Sequence, residues 1–548
     1  MTSTYDGILS NATKNYLSTI NPKNPPALAD LKAELIRKIR DEVELQNALL
    51  PKGQKIRLPS TLPFAQIATV MNTLYSIRNI SCAGDGYDPI LAIYQTEGEN
   101  EGTYDTSEDA FLAIARQLDE SLKTRDFNEV MSALRITAKK VDRTQDRDLI
   151  AVNNGVFNYK TKELLPFSPD YVFLSKSHVD YVDKAPSPLI YNDTDKTYWD
   201  VESWIREIAD DDEIANLLWE IIGAIVRPYN AWEKTAWFYS QKGENGKGTL
   251  CELMRNLCGP GSYASIGLNA FSKDFLLEPL IHASAIINDE NSVGEFFSDN
   301  ANFKAVVTND PIQLNRKFKK PITFEFHGFM VQCINKLPRM KDQTESFYRR
   351  ILFVPFEKSF TRRARKYIKQ DYVKRKEVLE YVLWRVLNMN YYELSEPAAC
   401  RALLYEYKGF NDPIREFVAD IMPRLVWDLV PFSFLYSLYK AWFRRYCPSG
   451  SVQSKQTFVT DLLSILPELP DWECSGRDKR IRRGHMMDAP ELLIAEYDLI
   501  EWKNPVYHGA DQNKICQPML MDSYRGLRRI GAASASVSND DDDGNDDN

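Results

Sequence analysis

The 548-residue chain lacks the marks of several large protein classes. Its eight cysteines, at positions 82, 251, 258, 333, 400, 447, 474 and 516, are scattered and form no Cys-x-x-Cys pair. That argues against zinc ribbons and disulfide frameworks and fits a reducing compartment. No apolar run is long enough to span a bilayer; LLWEIIGAIV is short and carries a glutamate. The opening MTSTYDGILSNATKNYL lacks the basic-then-apolar order of a secretory leader, so a cytoplasmic location is expected. Internal repeats are missing. A basic excess is missing too: the formal net charge is −9, but the last ten residues hold six aspartates, and without them 71 acids face 68 bases. The bases cluster, and clustering bears on nucleic-acid binding more than the total does.

At this length three or four domains are expected. Residues 1–80 read as helical, LADLKAELIRKIRDEVELQNALL having an amphipathic period, and residues 107–137 read as helical again. From Ala151 the apolar residues alternate around NYKTKE, which predicts a hairpin. Residues 195–230 return to helix. TAWFYS, ASAIIND, GFMVQCIN and ILFVPF then read as four buried strands, and KGTLCELMRNLCG as a helix directly after the first. This alternation predicts an α/β sheet. Beyond residue 360 the chain is basic and helical; residues 349–376 alone hold eleven Lys or Arg. The small, acidic tail from Gly531 reads as disordered.

The stretch SQKGENGKGTL, Ser240–Leu250, approximates a phosphate-binding loop but departs from it twice. The pattern asks for Gly, four residues, Gly-Lys, then Ser or Thr. Gln241 takes the first glycine position and Gly248 the hydroxyl position. Gly243, Asn245, Gly246 and Gly248 still give a permissive backbone at a helix start, where N–H groups and the helix dipole favour an anion, and Lys247 supplies charge. Thr249 could take over the metal-ligating hydroxyl. Asp289 and Glu290 end a strand where one carboxylate can hold magnesium and another polarise water. Asn335 ends the next strand and could orient water. Arg349 and Arg350 open the following strand, where either could act across a subunit interface. TNDPIQLNRKFKKPITFEF reads as a hairpin with Arg316, Lys317, Phe318, Lys319 and Lys320 at its tip. Positive charge around one aromatic suits a single polynucleotide strand. Taken singly, each of these has a plain alternative: a glycine turn, solvated loop acids, an Asx-turn before Pro338, a sheet edge kept soluble by lysines.

Their order is what is specific. NGKGT, NDEN, KAVVTNDPIQLNRKFKKPITF, CINKLPRM and FYRRILFVPF, in that sequence, resemble the superfamily-three helicases, and within them the C-terminal module of phage and plasmid primase-helicases related to the poxvirus type. The resemblance runs from about residue 100 to 490. It implies a multidomain α/β protein with an AAA+-like ATPase core, a helical N-terminal region and a C-terminal winged helix. The expected divisions are a helical region at 1–100, a family domain at 101–205, the ATPase core at 206–365, a helical lid at 366–410, a winged helix at 411–490 and an extension with the acidic tail at 491–548. ATP and magnesium are the implied ligands. Lys247 would contact phosphates, Thr249 and Asp289 magnesium, and Glu290 water; Asn335 would be the sensor, and Arg349 or Arg350 the trans-acting finger. The hairpin bases, chiefly Lys317 and Lys319, would grip DNA in the channel of a ring. The family's hairpin motif often has Gly-Gly-Asp where Thr308-Asn309-Asp310 stands here.

The ends add less. No Asp-x-Asp or Glu pair lies on a strand pattern suited to two-metal nucleotidyl transfer, and there is no zinc-ligand cluster, so a separate primase or replication protein is an expected partner. A helix from Ser454 could present Lys455 to a major groove, with Arg480, Arg482 and Arg483 on a phosphate-gripping wing. The expected function is a hexameric, ATP-driven DNA helicase for phage or mobile-element replication in a bacterial cytoplasm, acting on single-stranded and forked or origin DNA. An origin-binding initiator ATPase and a non-enzymatic DNA-binding scaffold stand as alternatives.

Overall fold

A computed structural model of the protein describes residues 5–21, 24–83, 89–273, 275–291, 296–297, 301–317, 319–340, 344–360, 365–446 and 452–531. Phe318 and the acidic tail lie outside the described residues. The chain divides into two compact units, residues 1–404 and 405–548.

The first unit opens on helices Tyr5–Leu17, Leu28–Ala48 and Phe64–Leu74. The second of these buries Leu31, Leu35, Ile39 and Val43, one residue per turn, as its periodicity requires. The N-terminal region is not purely helical, however. Ile77–Ser81, Ile90–Tyr94, Tyr104–Asp105 and Lys139–Asp142 form a four-stranded mixed sheet. Helices Glu108–Leu118 and Thr124–Thr137 carry the chain to its last strand, which pairs parallel to Ile77–Ser81. A crossover of this kind is what a parallel partner demands. Farther on, Leu149–Val152, Gly155–Asn158 and Glu163–Leu165 make an antiparallel meander, with NYKTKE turning between its last two strands.

The centre of this unit is a five-stranded sheet. Its strands are β1 (Thr235–Tyr239), β2 (Tyr263–Ala264), β3 (Ala285–Asn288), β4 (Phe329–Ile334) and β5 (Ile351–Pro355). They lie in the order β2-β3-β4-β1-β5, and every neighbouring pair is parallel. A parallel sheet is covered on both faces, so its strands are apolar throughout rather than alternating. β4 and β5 are buried at every residue. On β1, Ala236 and Phe238 enter a core shared with helix α1 (Lys247–Cys258) and helices Asp212–Ile225 and Lys376–Leu387. Trp237, one residue out of phase, meets Phe353 and Phe303 with ring centroids at 5.5 and 6.2 Å. The polar exception in β4 is Gln332, whose buried amide donates to Ile266 O at 2.9 Å and accepts from Asn291 at 3.0 Å. Between β3 and β4 the chain forms the expected hairpin, Ile312–Leu314 against Ile322–Phe324.

The second unit is built from helices Pro413–Ile421, Phe432–Tyr446 and Lys455–Ile465 packed on a three-stranded antiparallel sheet. Gly526–Arg529 is the middle strand of that sheet, between Leu429–Pro431 and Trp472–Glu473. The fold of this unit therefore runs on past residue 490 to Arg529. Among the described residues no helix is long and apolar enough to cross a membrane.

Candidate phosphate-binding site

Ligands of open parallel sheets gather at the carboxyl ends of the strands. Here three adjacent strands, β3, β4 and β1, end side by side, with Asn288 paired to Gln332 and Tyr239 to Ile334. β1 runs into the loop 240–246, β3 into Asp289 and Glu290, and β4 into Asn335. The topology thus brings together groups that are far apart in sequence.

The loop is held by its own side chains. Ser240 Oγ donates to Lys242 O at 2.9 Å, Asn245 Nδ2 donates to the same carbonyl at 2.7 Å, and Asn245 Oδ1 accepts from Lys247 N at 3.4 Å. Two left-handed residues shape it, Glu244 at φ 56° and Gly246 at φ 89°. A non-glycine residue in that region costs on the order of 1 kcal/mol, and Phe360 N holds Glu244 there by donating to its carbonyl at 2.8 Å. Gly246 caps α1, and a Cβ on it would stand 2.8 Å from Ile208 Cγ2. Gly246→Ala is therefore expected to cost about 1–2 kcal/mol through its backbone angle alone, read as a lower denaturant midpoint with an unchanged slope. Gly243 meets nothing and leaves the loop tip open.

Lys247 is the first residue of α1 and is 5% exposed. Its Nζ donates to Asn335 Oδ1 at 3.1 Å, which joins the loop to the end of β4. Among the described residues it makes no ion pair. Burial lowers its pKa, and the nearby Cys333 and Cys251 thiols offset that only in part. A desolvated ammonium at a helix N-terminus, without a carboxylate, is a cation prepared for an anion.

Asp289 is committed elsewhere. Both its oxygens accept from Arg255 of α1, Oδ1 at 2.7 Å and Oδ2 at 3.2 Å. The hydrogen-bonded guanidinium holds its carboxyl below the usual aspartate range. A lowered folded pKa contributes stability that is present above the unfolded value, about 4, and lost as pH falls through the folded one. Arg255→Gln should remove that contribution, lowering stability by roughly 1 kcal/mol at pH 7 with a smaller loss below pH 3, as followed by denaturant unfolding at the two pH values. Glu290 is exposed at the strand end. Thr249 faces a cavity of about 300 Å³ beside the loop, which Gly246, Trp204, Ile208, Phe360 and Ile368 also line. That apolar slot had no sequence signal, because its walls come from both sides of the sheet segment.

A magnesium ion takes one or two carboxylates, keeps several waters and completes its shell with substrate phosphates. The hydroxyl of Thr249 and the carboxylates of Asp289 and Glu290 are oxygen donors of the kind such an ion takes, with Arg255 competing for Asp289.

Arg349 and Arg350 differ sharply. Arg350 is 8% exposed, and its Nη1 donates to Ser346 O and, at 2.9 Å, to Ser346 Oγ. Arg349 is exposed at the end of the short helix Glu345–Tyr348. At the hairpin tip Arg316 folds back, donating to Lys320 O at 3.0 and 3.2 Å. Lys317, Lys319 and Lys320 are exposed, and Lys319 lies 3.6 Å from Glu108. Phe318 is outside the described residues, so the aromatic at that tip has no structural account. In the second unit Ser454 caps its helix by accepting from Thr457 N at 3.2 Å, leaving Lys455 exposed in the first turn. Arg480 and Arg482 are exposed around strand Ile481–Arg482, while Arg483 is paired with Asp488 at 2.7 Å.

Residues 27–211 match the family described as D5 N terminal like, and residues 410–496 the poxvirus D5 protein-like family. Residues 238–350, which hold the loop and the hairpin, match DUF5906, a family of unknown function. Among solved structures, the apo NrS-1 C terminal region is similar at 12% identity and a TM-score of 0.44, over 77% of this chain and 97% of that one. An A form of the same region gives 12% and 0.41, over 80% and 90%. No curated protein matches the chain.

Proposed function

We infer that the central site hydrolyses ATP and that hydrolysis moves the basic hairpin along a DNA strand, a reading supported by the matches of residues 27–211 and 410–496 to the D5 N terminal like and poxvirus D5 protein-like families. The observation that carries this reading is Lys247: buried, uncompensated by any acid among the described residues, at a helix N-terminus and bonded to Asn335 across the sheet. The strand order, with the loop-bearing β1 between β4 and β5, supports an AAA+-like core. The helices and small sheet of the second unit support a winged helix presenting Lys455, Arg480 and Arg482 to DNA.

In the reaction, Lys247 donates to oxygens of the β- and γ-phosphates, giving up Asn335. Asn335 is then available to orient water, and the Glu290 carboxylate takes a proton from that water as it attacks the γ-phosphorus. The bridging bond to the β-phosphate breaks, and ADP and phosphate leave. Thr249 and Asp289 are the residues that would hold magnesium, which supplies charge neutralisation on the phosphates. The base would lie in the slot between Ile208, Phe360 and Ile368. Arg349, exposed, is the finger for a neighbour's nucleotide in a hexameric ring; Arg350, buried and bonded to Ser346, is a structural residue. Arg350→Ala should cost about 1–3 kcal/mol of stability, because it removes a buried side chain together with its charged hydrogen bonds to Ser346.

Strand displacement on a forked duplex, with ATP and purified protein, tests the reading. Unwinding supports a helicase. ATP hydrolysis without unwinding would instead assign an initiator that melts or marks an origin.

A further inference from the structure

The site has a second lysine that the loop pattern does not contain. Lys369 lies on the short helix Lys366–Gln370, more than a hundred residues after the loop. A Cβ built on Gly248 would meet its Nζ at 3.4 Å, and no other atom within 4 Å. The ammonium therefore lies in van der Waals reach of position 248, which is where the usual loop places its hydroxyl. Lys369 also lines the cavity beside Gly246 and Thr249, and its charge reaches Asp289, although Arg255 has the larger effect there.

The lysine is placed by a fixed support. Ile368 beside it is 5% exposed and belongs to the central core. Arg365 bonds Glu207, Tyr367 bonds Asp195, and Lys374 bonds Glu252 of α1 at 3.2 Å. These cations and this tyrosine anchor the segment. Lys369 itself is exposed and makes no ion pair among the described residues. The acids that share its cavity are Glu207, already paired with Arg365, and Glu244, held through its backbone.

We propose that Lys369 is a second phosphate-binding cation of the same subunit, its ammonium lying beside Gly248 at the start of α1. The chemistry recognised is a polyphosphate. This rests on the reading of the loop as a nucleotide site and adds to it a ligand from outside the loop.

The test compares wild type, Lys369→Gln, Lys369→Arg and Lys247→Met for binding of ATP, inorganic tripolyphosphate and adenosine, by competition against a fluorescent ATP analogue. Lys369→Gln should weaken ATP and tripolyphosphate about tenfold, Lys369→Arg should restore most of it, and adenosine should not change. A purely structural lysine would not discriminate tripolyphosphate from adenosine. Unchanged tripolyphosphate affinity in Lys369→Gln, beside its loss in Lys247→Met, would overturn the proposal and leave the nucleotide site standing. Unchanged affinity in both variants would overturn the nucleotide site, and Lys369 with it.

Discussion

Lys247→Met is expected to reduce ATP hydrolysis by about a hundred- to a thousandfold without destabilising the protein. The first half follows from position. The ammonium stands at a helix N-terminus, in a partly desolvated place where a charge–charge contact is worth far more than in water, and removing one such donor typically costs a factor of about 10²–10³. The second half follows from what Lys247 lacks. Its partner is the neutral Asn335, and burial already lowers its pKa, so the folded protein holds the charge against its solvation preference. Methionine keeps the stem and discards the charge. The melting temperature of the ligand-free variant should equal or exceed that of wild type, while the upward shift on adding ATP disappears. A large fall in ligand-free stability would show instead that Lys247 is a packing residue.

Arg349→Ala should abolish hydrolysis at least as fully, by about 10³-fold or more, yet leave ATP binding to the isolated subunit close to wild type. The asymmetry arises because an exposed arginine acting as a finger for a neighbouring subunit contributes only once a second copy is docked. Mixing supplies the decisive comparison. Rings assembled from Arg349→Ala and Lys247→Met subunits contain some interfaces with an intact lysine on one side and an intact arginine on the other. Such mixtures should recover part of the activity that neither variant has alone. Equal inactivity of the mixture and its components would place Arg349 outside the reaction.

How much of this could be read from the sequence depended on how locally each feature is encoded. The strands of the central sheet were legible because burial on both faces writes them as unbroken apolar runs, TAWFY and ILFVP among them, each ending at a turn or a polar cluster. The helix after the loop was legible from Gly259, whose φ of 85° ends it. The N-terminal sheet was not. IRNIS carries Arg78 and Asn79 in the middle of a strand, and it directly follows the helix Phe64–Leu74. Nor was the two-residue strand Tyr263–Ala264, too short for any periodicity. In the site, Lys247 and Asn335 stood out as motif residues and the fold brings them within 3.1 Å. Arg255, which takes Asp289, and Lys369, which lies against Gly248, gave no signal, because each is an ordinary base on a helix until the third dimension gives it a neighbour. The choice between Arg349 and Arg350 was equally closed to the sequence: adjacent identical residues differ only in burial.

The most direct measurement is the ATP hydrolysis rate of the purified protein with and without single-stranded DNA. The account predicts measurable hydrolysis that rises when DNA is added, since the hairpin of Lys317, Lys319 and Lys320 is to be coupled to the loop of Lys247. Absence of hydrolysis under both conditions, together with no binding of ATP, would contradict it.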